Sequence, residues 1–111
     1  MTARLHRIGD ALAFQPAGHN GVAPVRLTGT AADESISVVL SSYEPGARAE
    51  RSPDPVDTVY LVLTGQLTVS LDNGQIELTH LDSLFLPAGC VRAVDNLTAE
   101  LASMFVIRPN P

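Results

Sequence analysis

Few side chains of this sequence could bind a metal ion or transfer a proton, and they are not spaced as metal ligands. The three histidines, His6, His19 and His80, are far apart, so no two of them form the i, i+2 pair that places ligands on one face of a strand. Acidic side chains between residues 50 and 57 could bind a hard cation if the fold brought them together. We expect these acids to be solvated or ion-paired, with a metal site built from His19, His80 or these acids as the alternative.

The single cysteine and the histidine at position 19 both have plain structural interpretations. One cysteine, Cys90, excludes an intramolecular disulfide and any cysteine-rich zinc motif. No histidine stands beside it, so we interpret Cys90 as a small apolar side chain rather than a nucleophile. His19 precedes Asn20-Gly21, a combination typical of a turn, and a place for His19 in a pocket lining is the alternative.

The distribution of charge disfavours several classes of function. The 111 residues carry a net charge of −5, and the seven basic residues are all arginines, scattered from Arg4 to Arg108. A nucleic-acid-binding protein normally clusters its basic side chains on one face, so we expect no nucleic-acid partner. No apolar run is long enough for a membrane span and the first residues do not resemble a signal peptide. We therefore expect a cytoplasmic protein with no membrane partner.

Short runs of alternating or β-branched residues, separated by glycine and proline, predict an all-β domain. Strands are expected over residues 36–43, 58–63, 67–71, 75–79, 83–86, 92–94 and 101–107. The first of them is expected to stop at Pro45-Gly46. Asp72-Asn73-Gly74 tolerates the positive φ of a tight turn, so the two strands around it are predicted to form a hairpin. Residues 8–14 could form one helical turn.

The length fits a single domain with an N-terminal arm. A chain of this size buries about two-thirds of its unfolded surface, which is enough for one core. Residues 15–24 are rich in glycine, proline and alanine and are expected to be irregular. We therefore predict an arm over residues 1–24 that packs on a β-barrel or sandwich formed by residues 25–111.

Two segments combine glycine, proline and polar residues at recognisable intervals. The first consists of Gly46, Ser52, Asp54, Thr58 and Gly65, and the second of Leu81, Pro87, Gly89, Arg92 and Asn96. Their spacing is similar to that of the two motifs of the cupin superfamily, whose residue types are Gly, His-x-His, Glu, Gly and then Gly, Pro-x-Gly, His, Asn. The resemblance covers about residues 36–108.

The resemblance implies a double-stranded β-helix, which is the small jelly-roll barrel of cupins, and a homodimer. Cupins hold a metal ion with three histidines and one glutamate from these motifs. The corresponding positions of this chain are Ser52, Asp54, Thr58 and Arg92. Hydroxyl groups are poor metal ligands and an arginine does not give up its proton, so we expect neither a metal ion nor another cofactor here.

The family pattern and strand alternation together predict which side chains share the barrel interior. The expected ligand-binding residues are Ser52, Asp54, Thr58, Tyr60, Arg92 and Asn96. A few polar groups that converge within apolar walls are typical of a small-molecule site.

Two interpretations of Asp54 and Arg92 stay open. The two side chains could form an internal ion pair that links the motifs in place of a metal ion. Alternatively, Arg92 binds the carboxylate or phosphate of a ligand, with Asp54 as a general base and Tyr60 as a proton donor. We favour the ion pair slightly, and ligand binding could break it.

The sequence therefore predicts a metal-free cupin that binds a small organic molecule, with an anion as the first expectation. One alternative is a metal-independent lyase, isomerase or decarboxylase that acts on a small carboxylic acid through Asp54, Tyr60 and Arg92. Another is a non-catalytic interaction or sensor module whose barrel is filled by side chains. Because this fold hosts many chemistries, enzymatic activity stays undecided at this point.

Overall fold

A computed structural model of the protein describes residues 2–110, which form nine strands and one short 3₁₀ turn. The 3₁₀ turn covers Ile8–Asp10. The strands are β1 (Leu12–Ala13), β2 (His19–Thr28), β3 (Ile36–Pro53), β4 (Thr58–Thr64), β5 (Leu67–Leu71), β6 (Gly74–Leu78), β7 (Ser83–Leu86), β8 (Val91–Asp95) and β9 (Ala102–Pro109). The all-β prediction is confirmed. For each strand predicted from residue 58 onward, the predicted first and last residues lie within two positions of the observed ones. No helix in residues 2–110 has the length and apolarity to span a membrane.

The long strand β3 connects the two halves of the barrel. Residues 36–43 of β3 lie between β2 and β9, whereas residues 48–53 pair with β8. The hydrogen-bonded order is β6-β5-β8-β3-β9-β4-β7, with β2 added on β3 and β1 on β2. This arrangement is a nearly closed, antiparallel barrel, and it confirms the predicted double-stranded β-helix.

Alternation along each strand separates the barrel interior from its outer surface. On β4, Thr58, Tyr60 and Val62 are buried, whereas Val59 and Leu61 are partly exposed on the opposite side. The side chains of the main core cluster come from nearly every strand: Val22, Tyr43, Ala47, Ala49, Tyr60, Val62, Leu67, Val69, Leu78, Leu86, Val94, Ala102 and Met104. The hairpin predicted around Asn73-Gly74 is present, because β5 pairs with β6 from Leu67 opposite Leu78 to Leu71 opposite Gly74.

The expected stop at Pro45-Gly46 is wrong, because β3 continues to Pro53. The amide of Gly46 donates to the carbonyl of Asn96 (2.9 Å), and the amide of Asn96 donates to the carbonyl of Ala47 (3.0 Å). The glycine adopts a φ of +80°, so the chain changes direction without losing its backbone partners. The dipeptide bends the strand instead of ending it.

The expectation of an irregular segment over residues 15–24 is also wrong in its second half. β2 begins at His19, and its residues Val22, Ala23 and Pro24 lie opposite Tyr43, Ser42 and Ser41 of β3. Pairing with a distant strand outweighs the local glycine and proline content. The division into an arm over residues 1–24 and a barrel over 25–111 stays a prediction, and residue 24 lies within β2.

A glycine after β4 is expected to be essential for stability because of a close backbone approach. Gly65 has a φ of +71°, and a Cβ added there would lie 2.7 Å from the carbonyl oxygen of Leu101 and 2.8 Å from Cα of Ala102. We expect Gly65→Ala to lower the free energy of unfolding by about 3 kcal/mol, measured by chemical denaturation.

The matched control for this prediction is Gly46→Ala. Gly46 has a similar φ of +80°, but an added Cβ would meet no atom of residues 2–110 within 4 Å. The free energy of unfolding of this variant should fall only by the cost of the left-handed backbone, about 1 kcal/mol. Equal losses in the two alanine variants would contradict the role assigned to the close approach.

Candidate functional site

A cavity of about 260 Å³ lies among inward-facing side chains of β2, β3, β8 and β9. It is lined by Phe14, Pro16, His19, Pro24, Arg26, Ser37, Val39, Ser41, Ser52, Pro53, Asp54, Arg92, Val106 and Arg108. Ser37, Val39 and Ser41 follow one another at intervals of two residues along the first part of β3, so all three point to the same side of the strand.

The cavity lining carries more positive than negative charge. Its arginines are Arg26, Arg92 and Arg108, and its single carboxylate within residues 2–110 belongs to Asp54. Three positive charges and one negative charge give a local formal charge of +2, although the whole chain carries −5. A cavity with this excess attracts anions.

The Arg92 side chain is held by β3 and β4. A register shift in the pairing of β3 with β8, between Ala49 and Ser52, places Ser52 opposite Arg92. Nη1 of Arg92 donates to the carbonyl of Glu50 and to Oγ of Ser52, each at 3.0 Å, and Nε donates to the hydroxyl of Tyr60 at 2.7 Å. These bonds fix the guanidinium, whose side chain is only 7% exposed.

The Asp54 carboxylate lies between two arginines and one tyrosine. Its Oδ1 accepts a hydrogen bond from Nη2 of Arg108 (3.1 Å), and its Oδ2 accepts one from the hydroxyl of Tyr60 (3.4 Å). Nε of Arg92 is 3.7 Å from Oδ2, within ion-pair distance. The backbone of Asp54 also joins the two sequence motifs, because its carbonyl accepts from the amide of Gly89 at 2.7 Å.

Proton positions in this cluster follow from burial and charge. Burial raises the pKa of Tyr60 to about 12, although the positive charge of Arg92 opposes this shift. Burial disfavours the charged form of Arg92, but the neighbouring Tyr60 and Asp54 outweigh it and raise the pKa of Arg92. Tyr60 therefore keeps its proton at neutral pH, accepts a hydrogen bond from Arg92 and donates one to Asp54.

The third arginine of the lining, Arg26, is held on the other side of the cavity. Its Nη1 donates to Oγ of Ser37 at 2.8 Å, and its guanidinium carbon lies 4.9 Å from the centre of the Phe14 ring. Stacking on an aromatic ring positions an arginine without neutralising its charge.

The structure brings three of the six predicted ligand-binding residues to the cavity lining, namely Ser52, Asp54 and Arg92. Tyr60 contacts Asp54 and Arg92 from behind the lining rather than lining the cavity itself. The Thr58 hydroxyl is buried and donates to the carbonyl of Val56 at 3.0 Å.

Asn96 lies fully buried outside the lining, directly after β8. Its Nδ2 donates to the carbonyls of Tyr43 (2.9 Å) and Glu100 (2.8 Å), and its Oδ1 accepts from the amide of Thr98 (3.0 Å). These bonds hold the connection between β8 and β9 against β3.

Arg26 and Arg108 line the cavity, but neither was among the residues predicted from the sequence. The available signal was alternation along the last strand, where Arg108 follows the inward-facing Met104 and Val106 at intervals of two residues. Arg26 could not be found in this way, because residues 15–24 were expected to be irregular and the direction of β2 was therefore unknown.

The three histidines occupy three different environments. His19 lines the cavity, and its Nδ1 donates to the carbonyl of Ala17 at 2.9 Å. The Nδ1 of His80 is 2.7 Å from the carbonyl of Leu63, and the Nε2 of His6 is 2.7 Å from a carboxylate oxygen of Glu34. Neither His6 nor His80 belongs to the cavity lining.

The family model of the cupin domain matches residues 39–108. This chain belongs to the cupin superfamily. A protein named beta-D-galactosidase Rv1717, from Mycobacterium tuberculosis, is 36% identical to this cupin over 110 residues, which covers 97% of this chain and 95% of that protein.

Solved structures support the same fold. A cupin superfamily protein from Desulfitobacterium hafniense superposes with a TM-score of 0.71 at 25% identity, covering 87% of this chain and 84% of that one. The polyketide cyclase RemF from Streptomyces resistomycificus superposes with a TM-score of 0.84 at 19% identity, covering 100% of this chain and 81% of that one. The second likeness concerns the fold alone.

The residues present do not fit the metal ion that this superfamily implies. Of the four family positions, only Asp54 offers a carboxylate, and Arg108 and Tyr60 already occupy its oxygens. Arg92 adds a fixed positive charge at the fourth position, which repels a cation. Within residues 2–110, no three histidine, cysteine, aspartate or glutamate side chains are grouped so that they could hold a metal ion.

The two tyrosines of the chain provide a pH-dependent test of this site. Burial raises the pKa of Tyr60 to about 12 and also raises that of Tyr43, whereas an unfolded tyrosine titrates near 10.0. We expect no phenolate absorbance near pH 10 in the folded protein. Because the unfolded chain loses these protons first, stability should fall as the pH rises from about 10 through about 12.

The control for this titration is the protein unfolded in denaturant, whose two tyrosines should ionise together near pH 10. Ultraviolet absorbance follows the phenolate, and circular dichroism on the same samples reports whether the barrel is intact. A phenolate signal with a midpoint near 10 in a protein that is still folded would contradict the burial of both hydroxyls.

Proposed function

We propose that this cupin binds a small anionic organic molecule, with a carboxylate or phosphate group, in the cavity lined by Arg92 and Arg108. The observation that carries the proposal is the excess of three arginines over one carboxylate in the cavity lining. Guanidinium groups bind carboxylates and phosphates through charge-assisted, often bidentate hydrogen bonds. An anion would therefore balance a charge that the protein leaves uncompensated.

Arg92 keeps one of its three guanidinium nitrogens available for such a ligand. Its Nε and Nη1 are bonded to protein groups, whereas its Nη2 has no partner among residues 2–110. Within residues 2–110, every fully buried side-chain nitrogen or oxygen has a hydrogen-bond partner. Nη2 of Arg92 has none, so this nitrogen is not fully buried. Since Arg92 lines the cavity, Nη2 is the group through which it would reach an anion.

Arg108 supplies the second contact, in competition with Asp54. The Arg108 side chain is 32% exposed, compared with 7% for Arg92, and it bonds only one oxygen of Asp54. An incoming carboxylate or phosphate can share this guanidinium or replace Asp54 on it, since both anions use the same N–H donors. The internal ion pair and ligand binding are therefore compatible.

The remaining lining limits the size and chemistry of the ligand. The hydroxyls of Ser37, Ser41 and Ser52 can bond to ligand hydroxyls, and Val39 and Val106 offer short apolar contacts. A volume of about 260 Å³ is slightly below the range of pockets that hold drug-sized molecules. These features favour a metabolite-sized anion that also carries hydroxyl groups.

Thermal-shift measurements with small carboxylates and sugar phosphates test this proposal, because a ligand of the folded state raises its apparent stability. We expect at least one of these anions to stabilise the wild type at low salt. The corresponding sugars without a phosphate group, used as neutral controls, should not stabilise it. Arg92→Ala should abolish this stabilisation. Arg108→Gln should weaken binding by about 10- to 100-fold, the effect of one charge-assisted hydrogen bond.

The matched control is Arg48→Gln, which removes an arginine outside the cavity lining that pairs with Asp95. This variant should bind the anion as the wild type does. If no anion stabilises the wild type, or if Arg92→Ala responds as strongly as the wild type, anion binding by this cavity is wrong.

Hydrolysis of a β-galactoside is a second candidate, favoured by the name of the Mycobacterium tuberculosis relative and by its match over 97% of this chain. The cavity offers one carboxylate for this chemistry, Asp54, with the Tyr60 proton beside it. Most glycosidases use two carboxyl groups on opposite sides of the scissile bond. A neutral galactoside also leaves the arginines of the lining uncompensated, so we rank this candidate second.

A chromogenic β-galactoside discriminates between the two candidates. If the second candidate holds, the purified protein releases the chromophore, and Asp54→Asn lowers kcat by at least about 100-fold because it removes the acid–base group. The substitution keeps the size of the side chain, and Asp57→Asn, outside the cavity lining, is its control. No turnover by the wild type, or full activity of Asp54→Asn, would eliminate a hydrolytic role for this site.

A further inference from the structure

Arg26 differs from the other arginines in that it is partly buried and has no acidic partner among residues 2–110. Five of the seven arginines lie within ion-pair distance of a carboxylate: Arg4, Arg48, Arg51, Arg92 and Arg108. Within the same residues Arg7 is unpaired as well, but it is exposed, so water solvates its charge. Arg26 lines the cavity, where less water surrounds it. The cavity therefore contains a positive charge that the described residues leave unbalanced.

Two neutral contacts hold the Arg26 guanidinium in place. Its Nη1 donates to Oγ of Ser37, and the Phe14 ring lies beneath its guanidinium carbon. Its Nε and Nη2 have no hydrogen-bond partner among residues 2–110, and since every fully buried side-chain nitrogen there has one, these two nitrogens are accessible. A fixed guanidinium with two accessible N–H groups is suited to bind a carboxylate or a phosphate.

Arg26 and Arg92 enter the cavity from different halves of the barrel. Arg26 of β2 lies opposite Val39 in the first part of β3, whereas Arg92 of β8 lies opposite Ser52 in its second part. The strand bends at Gly46, between these two positions. Packed sheets lie about 10 Å apart. The two guanidinium groups also share no protein partner, so they form two separate positive groups on opposite walls.

The formal charge of the cavity lining divides between these two walls. On one side, the two positive charges of Arg92 and Arg108 and the negative charge of Asp54 give +1. On the other side, Arg26 alone gives +1. A single anionic group bound by Arg92 and Arg108 balances the first charge and leaves the second one as it was.

We propose that the ligand carries two anionic groups, one bound by Arg92 and Arg108 and the other by Arg26. The inference rests on the anion site of the proposed function and specifies the class of molecule that fills it, namely a short hydroxylated chain with a carboxylate or phosphate at each end. The Ser37 hydroxyl accepts a hydrogen bond from Arg26 and keeps its own proton to donate to the second anionic group.

Calorimetry with pairs of ligands that share one carbon skeleton tests this proposal. The pairs are threonate with tartrate, gluconate with glucarate, and glycerol phosphate with phosphoglycerate, and the second member of each pair adds an anionic group at the other end. We expect the second member of at least one pair to bind the wild type at least about tenfold more tightly than the first, the effect of one charge-assisted hydrogen bond.

Arg26→Gln should remove this preference. It should weaken the ligand with two anionic groups at least about tenfold, and the ligand with one at most about twofold, since a charge about 10 Å away acts weakly through water. Arg26→Lys keeps the charge and should keep part of the preference. If Arg26 only positions Phe14, Arg26→Gln lowers the thermal stability but leaves the ratio of the two dissociation constants unchanged, which overturns the proposal.

The matched control is Arg7→Gln, which removes the exposed unpaired arginine outside the cavity lining and should keep the full preference. Circular dichroism confirms that each variant folds. If Arg26→Gln does not fold, nuclear magnetic resonance of the wild type decides the result. The ligand with two anionic groups should then shift the Nε–H resonances of both Arg26 and Arg92, and an unshifted Arg26 resonance overturns the proposal.

The possible results separate this inference from the proposed function. If no anion binds, both are wrong. If ligands with one anionic group bind as tightly as their partners with two, or if Arg26→Gln keeps the wild-type preference, the second anion site is wrong and the anion site at Arg92 stands.

Discussion

The structure depends on a buried chain of polar contacts that runs from Arg92 through Tyr60 and Asp54 to Arg108. It joins β8, β4, the end of β3 and β9, and so crosses the interior of the barrel. The Arg92 and Asp54 side chains are only 7% and 4% exposed, so either charge without its partners would carry a desolvation penalty of several kcal/mol. The contacts therefore fix the relative positions of four segments that are far apart in sequence.

By the resemblance of the two motifs, Asp54 and Arg92 of this polar chain correspond to positions where cupins hold a metal ion. The metal of a cupin connects the two motifs through its ligands, and here the side chains of Asp54 and Arg92 and the backbone contact of Asp54 with Gly89 make that connection. The replacement changes the electrostatics of the cavity. Arginine donors remain directed toward the cavity, so an anion suits this interior better than a cation does.

Much of the fold could be predicted from local patterns, because a strand with one or two apolar sides needs an alternating or β-branched sequence. The hairpin at Asn73-Gly74 and the strands after residue 58 follow from such patterns. The errors at Pro45-Gly46 and over residues 15–24 have one cause. In both cases glycine and proline favour a break locally, but the backbone finds partners in distant segments. The partner is Asn96, directly after β8, in the first case and β3 in the second.

The sequence by itself determined the all-β class and the superfamily resemblance, since these depend on residue types at short intervals. The sequence also favoured an ion pair of Asp54 with Arg92, but only the tertiary structure brought Arg108 to the same carboxylate. Arg108 is 54 positions from its partner, and the register of β9 against β3 places it opposite Ser37. Likewise, only the pairing of β9 with both β3 and β4 places Val38, Ile107 and Val59 side by side. Side chains from distant strands meet at a place set by pairing, and no local pattern contains that information.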